Sequence, residues 1–173
     1  MRLPVDRDGV LVIGYGSSLR GDDAMGPAAA RRLREYGFEA LAVHQLTPEI
    51  AERVAAARAV YFLDAAAGVP PGEISIQPLE RAATRGPQPM GHHASPAALL
   101  RLARDAFGAN PGAWLIGMGG SSFEIGGDLS EAAERAVSRA IEEVVFQAGP
   151  RPGRVEREGW TASPEKARAA ANR

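Results

Sequence analysis

Two carboxylates and one imidazole are the side chains whose types and positions could carry chemistry together. Asp23 follows the first apolar segment of the chain, Asp64 ends another, and His92 precedes a Leu-rich segment. If these segments are parallel strands with their connecting helices, the three side chains meet at one edge of a sheet, where functional groups of α/β proteins gather. Two oxygen ligands and one nitrogen ligand suit a divalent ion such as Zn²⁺ or Ni²⁺. The pattern therefore predicts a metal site formed by Asp23, Asp64 and His92.

Each of these residues also has an ordinary structural explanation. Asp23, or its neighbour Asp22, could cap the helix that follows. Asp64 could accept a hydrogen bond from a loop amide, and a histidine in a polar loop, His92 or the adjacent His93, could simply be solvated. Spacing alone does not decide between the metal site and these structural roles.

The composition excludes several other chemistries. The 173 residues include no cysteine, so disulfides, thiolate zinc sites, iron–sulfur clusters and cysteine nucleophiles are ruled out. Lys166 is the only lysine, which excludes Schiff-base chemistry in the body of the protein. The third histidine, His44, is predicted to be structural and to lie within a strand. The Ser121-Ser122 pair is interpreted as a loop feature without specific chemistry.

The glycines after the first apolar segment do not form a nucleotide-binding motif. Gly14 and Gly16 begin such a pattern, but Leu19 stands where its third glycine is required. The adjacent acids Asp22 and Asp23 would also repel a pyrophosphate. No lysine follows to make a phosphate-binding loop, and no Gly-x-Ser-x-Gly elbow marks a serine hydrolase.

Charge and hydropathy restrict the partners. Residues 148–173 hold six basic and three acidic residues, whereas the rest of the chain holds 14 basic and 18 acidic residues. An acidic body argues against nucleic acid as the main partner. No apolar run reaches about 18 residues, so no membrane span is predicted. The N-terminus does not resemble a signal peptide, and we expect a cytoplasmic protein.

Strand and helix patterns alternate along the chain. Short apolar or alternating runs predict strands, and segments with helical spacing or cap signals predict helices. The strands are expected near residues 10–13, 40–43, 60–63, 73–77 and 113–118, and the helices near 24–36, 48–58, 96–107 and 131–147. This order predicts a three-layer α/β/α sandwich with a twisted, mostly parallel five-stranded sheet and room for one antiparallel edge strand. Residues 1–147 would form this domain and 148–173 a mobile basic tail.

Several of these motifs, taken in order, resemble the nickel–iron hydrogenase maturation proteases over most of residues 10–147. An apolar strand leads into a Gly-x-Gly turn, an acidic pair and a glycine three residues after the pair. A second strand ends in Asp-Ala, and a histidine shortly precedes a Leu-rich helix. The matching segments are residues 10–17, 21–26, 45–49, 62–65 and 92–100. Ser17 departs from the family pattern, which has asparagine there.

The resemblance implies an activity and a partner. Proteases of this family remove a C-terminal extension from the precursor of the hydrogenase large subunit after nickel has been inserted. Asp23, Asp64 and His92 would contact the nickel, with His93 as the alternative to His92. The nickel would be supplied by the substrate on its own thiolates, and zinc or cadmium could replace it in a crystal. A carboxylate could assist the attack of water, and the enzyme is expected to be a monomer.

Other functions remain possible on the same fold. The chain could be a non-proteolytic, nickel-dependent assembly chaperone, a small-molecule metal-dependent hydrolase or phosphorylase, or a binding domain without activity. Loops 81–94 and 117–127 flank the predicted site and are predicted to hold the substrate peptide, although both could be ordinary surface connections.

Overall fold

The computed structural model describes residues 7–79 and 94–148. Within them, five strands alternate with four α-helices and two short 3₁₀ turns. The strands are β1 (Val10–Tyr15), β2 (Glu39–Val43), β3 (Ala59–Ala65), β4 (Ile74–Pro78) and β5 (Gly112–Met118). The helices are α1 (Met25–Glu35), α2 (Ala51–Ala56), α3 (Pro96–Phe107) and α4 (Glu131–Gln147), and the 3₁₀ turns are Gly21–Ala24 and Pro48–Ile50.

The strands form one sheet in the order β2-β1-β3-β5-β4. All neighbouring pairs are parallel except β4 and β5, which are antiparallel. The predicted five-stranded, mostly parallel sheet with an antiparallel edge strand is therefore confirmed. The chain leaves β1 in one direction to reach β2 and returns on the other side as β3. The carboxyl ends of β1 and β3 thus flank the point where strand order reverses, the usual ligand position in such sheets.

Helices cover both faces of the sheet, which explains why β1 is apolar throughout. Val10 and Val12 face a core shared with α1 and α4, whereas Leu11 and Ile13 face a core shared with α2 and α3. Successive side chains of a strand point to opposite faces, so a strand covered on both sides has no polar positions. This arrangement is the predicted three-layer sandwich.

Two glycines let α1 lie directly against the sheet. A Cβ on Gly14 would lie 1.9 Å from the carbonyl oxygen of Gly26, a distance that no side chain tolerates. A Cβ on Gly26 would lie 2.5 Å from the carbonyl oxygen of Leu63. The contact between these glycines fixes the start of α1 over the ends of β1 and β3, and with it the preceding loop that carries Asp23.

A bidentate ion pair joins the two helices on this face. The guanidinium of Arg32 in α1 donates to both carboxylate oxygens of Glu134 in α4, at 2.8 and 2.9 Å. Both side chains are partly exposed, so the pair adds to the helix packing only modestly.

The helix starts differ in part from the sequence predictions. Ser95 caps α3 as the cap-plus-proline signal predicts, since its Oγ accepts a hydrogen bond from the amide of Ala98. Thr47 makes no such bond, and a 3₁₀ turn precedes α2, which ends at Ala56 and is shorter than expected. The prediction that Asp22 or Asp23 caps α1 is wrong, because both side chains are engaged elsewhere and lie in the 3₁₀ turn before α1. The helix itself begins at Met25, one residue after the predicted start.

Other predictions fall at strand ends or beyond the described residues. Asp64 lies inside β3, which continues to Ala65. His44 is not within a strand as predicted, because β2 ends at Val43 and the imidazole follows it, exposed to solvent. His92, His93, residues 81–93 of the predicted substrate loop and residues 149–173 of the predicted tail lie outside the described residues, whereas Ala148 is described and buried. In the part of the chain that the structure describes, no helix is long and apolar enough to cross a membrane.

Candidate active site

Asp23 is held in place by the turn that follows β1. Gly16 has a φ of +139°, and a Cβ there would lie 2.1 Å from the carbonyl oxygen of Asp23, so only glycine permits this fold-back. The Ser17 amide then donates a hydrogen bond of 2.9 Å to Oδ2 of Asp23. The carboxylate is therefore tied to the turn at the carboxyl end of β1 and not to the first turn of α1.

Asp64 lies beside Tyr15 at the same edge of the sheet. Gly14 pairs with Leu63 in the parallel ladder, so Tyr15 and Asp64 are the next residues along their strands. The Tyr15 hydroxyl donates a hydrogen bond to the Asp64 carboxylate. Burial next to this negative charge raises the pKa of Tyr15 above its usual range, so the phenol stays protonated and remains a donor.

The environment of Asp64 favours its neutral form. Burial raises its pKa from 3.8 to about 6, although the hydrogen bonds from Tyr15 and from the Ala65 backbone act in the opposite direction. The negative charge of Asp23 raises the pKa further. Asp23 also lines the same cleft as Ala65, the residue that follows Asp64. The structure thus brings together two of the three residues that the sequence nominates for the site.

A cleft of about 470 Å³ opens beside Asp23. The segment that follows β3 forms one wall, and the loop that follows β5 forms the other. The lining residues are Asp23, Ala65, Ala66, Ala67, Gly68, Val69, Gly120 and Phe123. Because this wall and this loop leave the sheet at the carboxyl ends of neighbouring strands, an extended peptide lying in the cleft would pass next to the carboxylate.

The described residues provide only part of a metal site. Within residues 7–79 and 94–148, no three His, Asp or Glu side chains form a group that could hold an ion. Asp23 and Asp64 can offer hard oxygen ligands, and further donors would have to come from a substrate or from a residue outside these ranges. The exposed His44 lies at the neighbouring strand end, where its carbonyl oxygen accepts a hydrogen bond of 3.2 Å from the Gly16 amide.

Asp22 is a residue of the site region that sequence reasoning missed. Its side chain is fully buried and accepts four hydrogen bonds from the segment between β5 and α4. The donors are the amides of Ser121, Ser122 and Ser130 and the hydroxyl of Ser130, at 2.6 to 2.8 Å. Burial by itself would raise the pKa of Asp22, but the hydrogen bonds outweigh it and lower the pKa.

The role of Asp22 had no visible signal in the sequence. The acidic pair marks two candidate carboxylates but not which one faces inwards, and its partners lie about 100 residues away along the chain. The interpretation of Ser121-Ser122 as a loop feature was correct for the side chains but overlooked their backbone amides. Tyr15 was missed for a similar reason, because its partner Asp64 is defined only by the strand register.

The loops around the cleft expose a patch of large apolar side chains. Leu19 is 70% exposed, Ile125 is 84% exposed and Phe123 is 44% exposed. The Gly126 amide donates a hydrogen bond of 2.9 Å to the carbonyl oxygen of Leu19, which joins the two loops into one surface. We call Leu19, Phe123 and Ile125 the apolar rim.

Solved structures share this fold. The nickel–iron hydrogenase maturation protease HybD from Thermococcus kodakarensis superimposes with a TM-score of 0.64 at 22% identity, covering 80% of this chain and 98% of its own. The hydrogenase maturating endopeptidase HybD from E. coli gives 0.60 at 24% identity, with coverages of 80% and 90%. A hydrogenase 2 maturation peptidase from a Thaumarchaeota archaeon gives 0.55 at 28% identity, with coverages of 80% and 96%.

In contrast to the structures, no protein-family model and no curated protein sequence matches the chain. The structural matches nevertheless extend over most of this chain and nearly all of each matched protein. The chain therefore has the fold of the nickel–iron hydrogenase maturation proteases, and the resemblance inferred from its sequence motifs is confirmed.

Proposed function

We propose that this protein is a hydrolase that removes the C-terminal extension from the precursor of a nickel–iron hydrogenase large subunit. The observation that carries the proposal is the juxtaposition of Asp23 and Asp64. Asp23 lies in the turn that follows β1 and Asp64 near the end of β3, so both residues lie at the strand-order switch, where an open cleft begins. The proteins whose structures match are described as maturation proteases or endopeptidases, which supports the same activity here.

The nickel ion belongs to the substrate in this proposal. It would arrive on the thiolates of the precursor, while Asp23, Asp64 and His92 contact it and orient the scissile peptide bond, with His93 as the alternative imidazole. Two hard carboxylates and an imidazole suit a divalent ion, and the chain has no cysteine that would compete with the thiolates of the substrate for the nickel. Zinc or cadmium would occupy the same ligands in a crystal soaked with those ions.

Side chains of this protein would carry out the proton transfers that accompany hydrolysis of the peptide bond. A water oxygen adds to the carbonyl carbon, the bond to nitrogen breaks, and the leaving amine gains a proton. In this proposal Asp23 or Asp64 accepts the proton of the water, as in aspartyl-type general base catalysis. The hydrogen bond from Tyr15 would stabilise the charged form of Asp64, which is the form that can accept a proton.

The direct test compares two forms of the precursor. Purified protein is incubated with nickel-loaded and with nickel-free large-subunit precursor, and the mass of the precursor is followed. We expect loss of the C-terminal extension only from the nickel-loaded form. If the protein binds the loaded precursor and leaves its mass unchanged, it is an assembly chaperone and the proteolytic proposal is wrong.

Two further proposals concern the cellular compartment and the oligomeric state of the protein. We propose that it acts in the cytoplasm as a monomer, since a monomer leaves the apolar rim and the cleft accessible to a large protein substrate. Size-exclusion chromatography with light scattering would contradict this if the mass were twice the 18.2 kDa of the chain.

A further inference from the structure

We propose that Asp22 is the positioning residue of this site. Its buried carboxylate fastens the loop that follows β5 to the turn that carries Asp23, and this sets the width and shape of the cleft. The consequence for catalysis rests on the proposed function, whereas the effect on the loop geometry does not.

Asp22 is attached to the second loop through both its side chain and its backbone. Oδ2 accepts hydrogen bonds from the amides of Ser121 and Ser122 and from the Ser130 hydroxyl, and Oδ1 accepts one from the Ser130 amide. In return, the Asp22 amide donates to the carbonyl oxygen of Ser122 at 2.8 Å. Five hydrogen bonds therefore connect one residue to a segment that lies about 100 positions away in sequence.

Two glycines show how closely the loops meet at this point. A Cβ on Gly120 would lie 2.7 Å from the Cβ of Asp22, and a Cβ on Gly21 would lie 2.7 Å from the carbonyl oxygen of Ser122. Backbone is thus packed against backbone and against the Asp22 side chain, with no room for an intervening residue. Such close packing transmits a displacement of one loop to the other.

The two partners of this contact are also the two sides of the cleft. Asp23 is the next residue after Asp22 in the same 3₁₀ turn, and its carboxylate faces the cleft. Gly120 and Phe123 line the cleft from the other loop and flank the serines that bind Asp22. The two adjacent acids therefore have different roles. Asp22 is buried and joins the loops, whereas Asp23 lines the cleft and remains available to the substrate.

An asparagine cannot replace this carboxylate as an acceptor. The three donors on Oδ2 and the one on Oδ1 require acceptor oxygens on both sides, and an amide presents only one oxygen. In Asp22→Asn, the amide nitrogen would meet either the Ser130 amide or three other donors. The variant keeps the shape of the side chain and removes the acceptor capacity, so it isolates the contact that the proposal invokes.

Glu134→Gln provides a matched control. Glu134 is also a carboxylate engaged in charge-assisted hydrogen bonds, in this case with Arg32, and it lies outside the cleft. Both variants replace a carboxylate by its isosteric amide and are expected to lower the unfolding temperature. A general loss of stability would therefore affect both, whereas a positioning effect belongs to Asp22→Asn alone.

The first readout is the backbone amide spectrum of the ¹⁵N-labelled full chain without substrate. The Ser17 amide reports on Asp23, because it donates to that carboxylate, and the Gly120 amide reports on the opposite wall. We expect both signals to shift and their hydrogen exchange to accelerate in Asp22→Asn, while Glu134→Gln retains the wild-type signals. Wild-type Ser17 and Gly120 signals in a folded Asp22→Asn protein would overturn the proposal.

The second readout is the processing of nickel-loaded precursor well below the unfolding temperature. If the cleft is misplaced, Asp22→Asn should lower kcat/KM about 10- to 100-fold, and part of this loss should be a lower kcat. Glu134→Gln should stay near wild type.

If Asp22→Asn does not fold, Gly120→Ala serves in its place, because it retains the Asp22 carboxylate but pushes the two loops apart. The proposal requires that this variant shift the signal of the Ser17 amide. An unshifted Ser17 amide in that variant overturns the proposal. If the wild-type protein processes no precursor, the proposed function fails, and the amide spectra still decide the role of Asp22.

Discussion

The hydroxyl of Tyr15 donates to the carboxylate of Asp64 across two adjacent parallel strands, one position beyond the Gly14–Leu63 pair. This bond holds a partly buried acid whose pKa is raised to about 6, against an ordinary value of 3.8. Tyr15→Phe removes a side-chain donor that lowers this pKa, so the pKa of Asp64 should rise further above 6. The measurement is the ¹³C carboxyl shift of Asp64 during a pH titration of both proteins. An unchanged or lower midpoint in Tyr15→Phe would show that the hydrogen bond does not stabilise the charged form.

The raised pKa of Asp64 also makes a prediction about stability. The folded protein binds the proton of the Asp64 carboxyl group more tightly than the unfolded chain does. Protonated Asp64 therefore contributes to the free energy of unfolding in full below pH 3.8, and this contribution is lost as the pH rises through about 6. Above that value the charged side chain destabilises the fold. Asp64→Asn should therefore be more stable than wild type at pH 7.5 by roughly 1–2 kcal/mol, allowing for the partial exposure of the group.

Urea unfolding at several pH values tests this prediction. The advantage of Asp64→Asn should shrink as the pH falls from 7.5 to 4. Asp105→Asn, an exposed acid in the last turn of α3, is the control and should remain near wild type at the higher pH values. An Asp64→Asn protein that is less stable than wild type at pH 7.5 would mean that the folded structure favours the charged form of Asp64.

The contact between Gly14 and Gly26 predicts a strong effect of one methyl group. In Gly14→Ala the new Cβ would lie 1.9 Å from a backbone carbonyl oxygen, and α1 would have to move away from the sheet. We expect a loss of about 3 kcal/mol or more, enough to unfold a marginal domain. Gly127→Ala is the control, because its Cβ would meet nothing closer than 3.7 Å. Equal unfolding midpoints for the two variants would refute the close packing described here.

The apolar rim predicts where the substrate peptide binds. If the rim contacts apolar side chains of the precursor, Ile125→Ser should raise KM several-fold while kcat changes little, since it removes binding without touching Asp23. Phe146→Ser is a matched control, because Phe146 is 83% exposed and Ile125 is 84% exposed, but Phe146 lies near the end of α4. Identical KM values in both variants would exclude the rim from substrate binding.

The fold was predictable from the sequence because the patterns that mark strands and helices depend on residues close together in the chain. Apolar strands, the Ser95-Pro96 start of α3 and the spacing of apolar residues in α4 are determined by neighbouring residues, and the structure reproduces them within one or two positions. The start of α1 was predicted to within one residue, but its cap was not, because Asp22 binds a distant loop and Asp23 accepts a hydrogen bond from the Ser17 amide. A capping rule considers only the adjacent helix, so it could not show that Asp22 binds a loop 100 residues away.

The candidate site was predictable only where strand ends define it. Asp23 follows β1, and Asp64 lies near the carboxyl end of the neighbouring parallel strand β3, so their proximity follows from topology. The hydrogen bonds of Tyr15 and Asp22 depend on register and on the path of long-range loops, which periodicity does not contain. His92 and His93 stay predictions, because they lie outside the described residues.

The rate at which site variants process nickel-loaded precursor tests the central claim most directly. Asp23→Asn and Asp64→Asn retain the shape and hydrogen-bond acceptor oxygen of each side chain but remove the negative charge, and Asp105→Asn makes the same change away from the site. The account predicts that release of the C-terminal extension, followed by mass spectrometry, falls at least about 100-fold in the two site variants and stays near wild type in Asp105→Asn. Processing at the wild-type rate by folded Asp23→Asn and Asp64→Asn proteins would contradict it.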